Sequence, residues 1–215
     1  MIPDTDLEAS SAAGADEIVA LCAAAHWCAR RGWVPATSGN FSVRVGDRIH
    51  VTASGLDKGT LTPADLLELT ADGTPVEPGA RPSAEAGLHV VVYRERPEAH
   101  AILHVHTIWN TLLSGAGASE GAVVLAGYEL LKALAGVATH EHVERVPVLA
   151  NSQDYAALAA QLDAALKAEP GVHGVLLSQH GLYTWGTSVA EARRHLEALE
   201  FLFEVEGRRH FGGLL

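Results

Sequence analysis

The stretch that decides the fold is Ala101-Ile102-Leu103-His104-Val105-His106, an apolar run that ends in two closely spaced histidines. A short apolar run of this kind predicts a buried strand. Side chains at positions i and i+2 leave the same face of a strand with backbone positions about 7 Å apart, so both imidazoles can reach one ion. Imidazole nitrogen is a preferred zinc ligand. The stretch therefore predicts a strand that delivers a metal-binding pair.

The same spacing recurs at His140 and His142, so a His-x-His pair alone also fits two ordinary histidines on a half-polar strand face. The setting of the first pair is different, because an apolar strand delivers His104 and His106 at its C-terminal end, where the sites of α/β proteins collect. His140 and His142 could touch a substrate, support the metal ligands or simply pack. We favour the supporting role for them.

His180 is a third candidate ligand. It follows the apolar strand Val175-Leu176-Leu177 and precedes Gly181, where the absence of a side chain lets another group approach closely. Three histidines with an open fourth position are typical of catalytic zinc sites. Taken alone, His180 could also be an ordinary turn residue.

Three segments have the composition of an anion site, such as a phosphate site. Glycine lets backbone N–H groups point at an anion, serine adds a hydroxyl, and a helix N-terminus adds partial positive charge. Lys58 lies close in sequence to the second segment and offers a full charge. Each segment alone also fits an ordinary turn or cap. The segments are Thr37-Ser38-Gly39-Asn40, Thr52-Ala53-Ser54-Gly55 and Pro82-Ser83, and their candidate ligands are Gly39, Asn40, Ser54, Gly55 and Ser83.

Two glutamates are candidates for proton transfer. Glu85 falls in the first turn of a predicted helix, where an acidic side chain is also favoured by the helix dipole. Glu129 lies among apolar neighbours in Gly-Tyr-Glu-Leu-Leu-Lys, so we expect it to be partly buried. Burial raises the pKa of a carboxyl and suits a general base. The residues alone do not decide between the two.

Composition bounds the class of protein. The 215 residues fit a single domain over residues 14–215, preceded by a flexible segment at residues 1–13. A net charge of -11 opposes binding to nucleic acid or to an anionic membrane, and the apolar runs are too short to span a bilayer. Cys22 and Cys28 are too poorly placed on one helix for a disulfide, and the N-terminus lacks the pattern of a signal peptide. We therefore expect a cytoplasmic protein.

Helical and strand patterns alternate along the chain. This alternation, with a hairpin at Gly46-Asp47 in which Phe41, Val43 and Val45 are expected to face Ile49 and Val51, favours a mixed α/β layer architecture over a bundle or a sandwich. Helices are predicted over residues 16–31, 83–96, 108–115, 129–134, 153–167 and 190–209, and strands over residues 38–45, 49–52, 66–69, 101–106, 123–125, 143–149, 174–179 and 182–185.

Taken together, these motifs resemble the class II aldolase and adducin family. The resemblance implies a three-layer α/β/α fold whose central sheet is mixed and mainly antiparallel, one zinc ion per subunit on His104, His106 and His180, and a homotetramer with its sites at subunit interfaces. It rests on Ser38-Gly39-Asn40-Phe41-Ser42, Ser54-Gly55, Pro82-Ser83-Ala84-Glu85, His104-Val105-His106 and Gln179-His180-Gly181, in this order.

Further segments resemble one branch of that family, which dehydrates 5-methylthioribulose 1-phosphate to 2,3-diketo-5-methylthiopentyl 1-phosphate in L-methionine salvage. In that branch the glutamate matching Glu129 is the acid and base, whereas the aldolases use the one matching Glu85. Ala84 departs from the aldolase pattern Pro-Ser-Ser-Glu. The segments are Gly127-Tyr128-Glu129-Leu130-Leu131-Lys132, Thr139-His140-Glu141-His142, Val146-Pro147, Asn151-Ser152-Gln153-Asp154 and His180-Gly181-Leu182-Tyr183-Thr184-Trp185-Gly186.

Two rival functions remain open at this point. A sugar-phosphate aldolase or epimerase would share the metal and the substrate class but would break or remake a carbon–carbon bond. An adducin-like scaffold would keep the fold without a metal site, although the presence of all three histidines argues against it. The sequence also leaves open which first-row metal is bound, since three imidazoles accept several.

Overall fold

The computed structural model of the chain describes residues 4–212, with side chains from residue 14 onward. An eight-stranded sheet runs through the middle of this region, and five α-helices flank it. The strands are β1 Asn40–Val45, β2 Arg48–Thr52, β3 Leu66–Thr70, β4 Ala101–Val105, β5 Ala122–Ala126, β6 Val143–Leu149, β7 Gly174–Leu177 and β8 Gly181–Gly186. The helices are α1 Asp4–Arg30, α2 Ala86–Glu95, α3 Ile108–Ala116, α4 Tyr155–Ala168 and α5 Val189–Phe211.

The sheet is mixed and mainly antiparallel, as the resemblance implies. Its strand order is β3-β2-β1-β4-β8-β7-β6-β5, and every pairing is antiparallel except the one between β6 and β7. The parallel pair is joined through α4, because two parallel strands need a long crossover connection. The predicted strand Ala101–Val105, here β4, lies between β1 and β8.

Two hydrophobic cores fill the space on the two faces of the sheet, which gives the predicted α/β/α layers. Side chains alternate between the faces of a strand, so Leu103 packs with α1 and α5 while its neighbour Ile102 packs with α2 and α4. His104 leaves β4 on the same side as Ile102. The histidine strand therefore carries one core on one face, and the second core together with the predicted metal ligand His104 on the other.

Two details differ from the sequence-based expectation. The Gly46-Asp47 turn pairs Val45 with Arg48, which places the apolar side chains of β1 and β2 on opposite faces instead of opposite each other. Helix α1 begins at Asp4, whereas we predicted a helix from Asp16 after a flexible segment over residues 1–13. Alanine has a high helix propensity, so the helix extends further towards the N-terminus than the apolar periodicity indicates. Residues 1–3 lie outside the described part of the chain.

The helices also bear on two expectations from composition. Cys22 and Cys28 are free and buried in α1, as their spacing predicts. Within residues 4–212, no helix has both the length and the apolar character needed to cross a bilayer.

A buried carboxyl ties α5 to the start of α3, the helix that follows the histidine strand. Glu200 is 4% exposed, and it accepts hydrogen bonds from Thr107 Oγ1 at 2.6 Å and Asn110 Nδ2 at 2.9 Å. Thr107 is also the N-cap of α3. Burial raises the pKa of Glu200 to about 7, in spite of these hydrogen bonds. The carboxyl therefore gains a proton well above the pH at which an exposed glutamate does.

This raised pKa predicts how stability depends on pH. The folded state binds the Glu200 proton more tightly than the unfolded state, so its contribution is full below about pH 4.5 and is lost as pH rises towards 7. Glu200→Gln mimics the protonated form and should raise the free energy of unfolding at pH 8 by on the order of 3 kcal/mol. Urea unfolding between pH 5 and pH 8 measures the free energy of unfolding at each pH. Glu204→Gln, on the exposed side of the same helix, is the control, and equal pH profiles for all three proteins would contradict the prediction.

Candidate metal centre

Three adjacent strands place one row of polar side chains on the α2 side of the sheet. In the strand registers, Asn40 of β1 is opposite His104 of β4, and His104 is opposite Tyr183 of β8. The rings of His104 and Tyr183 stack with centroids 3.9 Å apart. All three residues are buried, His104 and Tyr183 completely. This row forms the floor of the candidate site.

The side chains of His106 and His180 converge on that of His104. One ring nitrogen from each lies within 4.8 Å of those from the other two, as required of ligands that share one ion. The Nε2 atoms of His104 and His106 are 2.9 Å apart. The predicted geometry of the three histidines is therefore present in the fold.

Partners of the outer ring nitrogens fix the tautomers of two of the histidines. His104 Nδ1 lies 3.0 Å from the Leu182 carbonyl, and His180 Nδ1 lies 3.2 Å from Asn151 Oδ1. Both partners are oxygens that accept, so each Nδ1 carries the proton and each Nε2 presents its lone pair to the centre. This is the arrangement that usually orients metal-binding histidines.

His104 and His106 are also held in the uncharged form that binds metal. Burial lowers the pKa of His106 to about 4, and the neighbouring His180 and Lys58 add to the effect. Burial, followed by the nearby His106 and His180, lowers the pKa of His104 further. An imidazole that resists protonation keeps its lone pair for a cation at neutral pH.

Glu85 completes the centre. Its carboxylate lies 3.3 Å from His104 Nε2 and 3.4 Å from His180 Nε2, and it accepts hydrogen bonds from Tyr183 Oη at 2.7 Å and Asn40 Nδ2 at 2.8 Å. Glu85 is the N-cap of α2, yet its side chain makes no capping hydrogen bond. Explaining Glu85 by the helix dipole is therefore wrong, because the carboxylate points at the histidines.

Glycines allow the strands to meet this closely. A Cβ on Gly181 would lie 2.4 Å from the Val105 carbonyl oxygen and 2.8 Å from His104 Cε1. Gly39 has a φ of 73°, and a Cβ there would lie 2.6 Å from the His104 carbonyl oxygen. Neither position admits a side chain, so both glycines are requirements of the site.

The fold also gathers the three predicted anion-binding segments. Ala53 and Pro82 form an isolated antiparallel bridge, which joins the second segment to the third, and Ser54 and Gly55 beyond the bridge are exposed. Ser83 Oγ accepts a hydrogen bond from the Glu85 N–H at 3.3 Å. The first segment joins them through the contact of Asn40 with Glu85.

Lys58 is more buried than its predicted role suggests. It is 2% exposed, and its Nζ donates to the carbonyl oxygens of Thr37 and Leu56, each at 2.8 Å. Two of the three ammonium protons are thus bound to backbone. Burial lowers the pKa of Lys58. The residue places a positive charge beneath the segment at residues 37–40.

The sequence pattern of the class II aldolase and adducin N-terminal domain matches residues 19–206. The chain belongs to this family. A methylthioribulose-1-phosphate dehydratase of Methylococcus capsulatus is 53% identical over 181 residues, which cover 84% of this chain and 87% of that protein. Another dehydratase of that name, from Serratia proteamaculans, is 47% identical over 90% of this chain and 95% of its own.

A solved structure shares the architecture. The L-fuculose-1-phosphate aldolase of Thermus thermophilus is 28% identical, covers 94% of this chain and all of its own, and has a TM-score of 0.74. The predicted resemblance to the family, and to its dehydratases, is confirmed by these matches. The predicted fold class is confirmed as well.

Glu129 lies apart from the histidines of its own chain. It begins a short 3-10 helix, Glu129–Ala133, and its side chain is 73% exposed. Its polar contacts are Lys132 and, at 3.9 Å, His140 Nδ1. The hydrogen bond and charge of Lys132 lower its pKa. The expectation of a partly buried carboxyl with a raised pKa is wrong, because Leu131 turns inward while Glu129 and its neighbour Leu130 turn outward.

His140 and His142 do not reach the three histidines either. His140 is exposed beside Glu129, and His142 Nε2 donates to Glu144 Oε2 at 2.7 Å. The supporting role that we favoured would require a contact with a ligand, and their polar contacts are with Glu129 and Glu144 instead.

Sequence reasoning missed three polar groups of the site. Tyr183 and Asn151 hold Glu85 and His180, and Ser38 Oγ is buried without a hydrogen-bond partner in the described residues. Each occurs in a motif quoted for the resemblance. Only the register between distant strands, however, brings Tyr183 beneath the histidines.

The close approach at Gly181 predicts the effect of one methyl group on metal binding. Gly181→Ala should weaken zinc binding by about 10- to 100-fold, since a displaced ligand or support typically costs this much. Competition with a zinc-sensitive dye measures the affinity. Gly171→Ala, where a Cβ meets no atom within 4 Å, is the matched control. Equal affinities in the two variants would contradict the described contact.

Proposed function

We propose that the protein is a zinc-dependent methylthioribulose-1-phosphate dehydratase of L-methionine salvage in the cytoplasm. The observation that carries the proposal is the convergence of three imidazoles, two of them with Nε2 lone pairs directed at the centre, in a chain about half identical to dehydratases of that name. Of the dehydratase motif residues, Asn151, His180 and Tyr183 lie in this centre, and residues 127–132 carry Glu129. The reaction is a hydro-lyase reaction on a small phosphorylated ketose.

His104, His106 and His180 would hold one zinc ion per subunit. Their donor set fits the ion, because three neutral nitrogens leave a position for substrate. When bound, the ion supplies Lewis acidity that polarises the C2 carbonyl and acidifies the C3 proton. An open cavity of about 600 Å³ lies against His106 and His180 and would admit the substrate.

Proton transfer is assigned to Glu129. Its carboxylate removes the proton from C3, and the C3–H electron pair forms the C3–C4 double bond as the C4 hydroxyl leaves. The same carboxyl returns the proton to the departing hydroxyl, which leaves as water. The resulting enol loses the proton of its C3 hydroxyl and takes up a proton at C4, which gives the 2,3-diketone. The hydrogen bond and charge of Lys132 lower the pKa of Glu129, so the carboxyl is in its ionised form before the reaction.

The phosphate would be bound by the gathered segments. Gly39, Asn40, Ser54, Gly55 and Ser83 offer N–H and hydroxyl donors along one side of the centre. The unpartnered Ser38 Oγ adds another hydroxyl. Lys58 supplies the positive charge. Its ammonium group donates a hydrogen bond to the Thr37 carbonyl oxygen, so it also holds the backbone of the first segment. Together these groups offset an overall charge that repels an anion.

A homotetramer would bring Glu129 to the metal centre of a neighbouring subunit. The support is its exposure and its surroundings: a cavity of about 640 Å³ beside Glu129 is lined by apolar atoms of Leu130, Ala133 and Phe201. Phe201 is 55% exposed, and an exposed apolar patch of this kind is typical of a protein interface. Ile108, next to His106 and Thr107, is 73% exposed as well.

An aldolase is the second candidate, and the position of Glu85 is the observation that favours it. Glu85 lies among the histidines and would be the proton-transfer group of that reaction. In the dehydratase we assign Glu85 to binding the substrate and orienting the histidines. Both functions share a phosphorylated ketose, so the products must decide between them.

The products of one substrate separate the two candidates. Purified protein loaded with zinc and given 5-methylthioribulose 1-phosphate should release water and form the diketone, followed by its absorbance and by mass spectrometry. Removal of the metal with a chelator should abolish turnover, and added zinc should restore it. Release of a three-carbon phosphate would instead support the aldolase. Absence of turnover with one equivalent of bound zinc would contradict the dehydratase.

Mixed oligomers test the shared site. Glu129→Gln should lower kcat by about 10²- to 10⁴-fold, and His106→Ala should abolish metal binding and turnover. If the two groups come from different subunits, an equal mixture reassembled from dissociated chains should recover about a quarter of the wild-type activity. The control is Glu141→Gln, an exposed carboxyl in the same segment, which should leave kcat unchanged. No recovery on mixing would place both groups in one chain.

A further inference from the structure

Two imidazoles bind the backbone N–H and the backbone carbonyl of Ala135. The Ala135 N–H donates to His195 Nε2 at 3.0 Å, and His173 Nε2 donates to the Ala135 carbonyl oxygen at 2.8 Å. Ala135 follows the short helix Glu129–Ala133 by two residues. We call this arrangement the Ala135 clamp. Its histidines take no part in the metal centre.

Hydrogen-bond partners assign the protons of the clamp. His195 Nε2 accepts from a backbone N–H, so its Nδ1 carries the proton and donates to the Trp185 carbonyl at 2.7 Å. His173 donates from both nitrogens, because its Nδ1 lies 3.1 Å from Glu144 Oε1. His195 is therefore neutral and His173 is an imidazolium. Burial lowers the pKa of His195, whereas Glu144 raises the pKa of His173 in spite of burial.

The clamp is anchored in rigid parts of the fold. Glu144 of β6 is 2% exposed, and it also accepts hydrogen bonds from the His173 N–H at 2.8 Å and from His142 Nε2. The His173 carbonyl accepts from Thr184 Oγ1 of β8 at 2.7 Å. His195 lies on α5. A buried ion pair of this kind, with its hydrogen bonds satisfied, specifies one arrangement of the groups around it.

The other end of the short helix is also fixed. Tyr128, its N-cap, donates from its hydroxyl to Glu206 Oε1 of α5 at 2.6 Å. Leu131 in the middle is completely buried. Between these anchors the carboxylate of Glu129 is 73% exposed. The segment is thus held firmly while one side chain is presented outward.

We propose that His173 and His195 are positioning residues, which fix the backbone that presents Glu129. The inference rests on the proposed role of Glu129 in proton transfer. A general base must lie within hydrogen-bond reach of the proton that it removes, and a displacement of about 1 Å can cost about 10²-fold in rate. Loss of the clamp therefore lowers kcat and leaves metal binding unchanged.

The test compares His173→Leu, which loses both hydrogen bonds, with His173→Gln, whose amide can still donate to the Ala135 carbonyl. His173→Leu should lower kcat by about 10- to 100-fold, while KM and bound zinc stay within about twofold. His173→Gln should restore most of the rate. Hydrogen exchange at residues 134–142 should accelerate only in the leucine variant. His100→Leu, at an exposed histidine, is the control and should change neither measurement.

Combination with Glu129→Gln decides how the clamp acts. If His173 acts through Glu129, then His173→Leu should cause little further loss in that background. An equal loss in both backgrounds, or a loss of zinc, would overturn the positioning role. If Glu129→Gln keeps full turnover, the assignment of Glu129 fails, and hydrogen exchange still reports whether the clamp holds the segment. If His173→Leu does not fold, His195→Ala takes its place in every measurement, because this variant removes the acceptor of the Ala135 N–H.

Discussion

The register of three neighbouring strands is the constraint on which the centre depends. Asn40, His104 and Tyr183 lie in one row across β1, β4 and β8. A shift of one residue in either pairing would move a member of this row to the other face of the sheet, into the core. The row would then lose its contact with Glu85. The two close-packed glycines, Gly39 and Gly181, allow these backbones to approach.

Local pattern was enough to predict much of this arrangement. The apolar strand ending in His104 and His106 follows from period and composition, and most helices and strands begin within a few residues of their predicted positions. His180 required the resemblance in addition. The fold class followed from the same resemblance, since alternating helical and strand patterns indicate layers but leave the strand order open.

The remaining features depend on contacts between distant parts of the chain. No local pattern gives the pairing of His104 with Tyr183, because it joins two strands that are far apart in sequence. The direction of the Glu85 carboxylate follows from Tyr183 and Asn40, and a helix-terminal glutamate looks the same in sequence wherever it points. Glu129 was misjudged because apolar neighbours do not reveal which side of a single 3-10 turn faces solvent.

The pairing of β4 with β8 also has a consequence for the order of events during folding. The β1–β2 hairpin can form early from neighbouring residues, but the β4–β8 ladder closes a large loop and carries the entropy cost of long-range contacts. His180 joins His104 and His106 only after that closure. A nascent chain therefore lacks the complete set of three histidines until His180 has been synthesised. A metal ion bound by this centre would accordingly be captured late, and it would stabilise the finished fold against reopening.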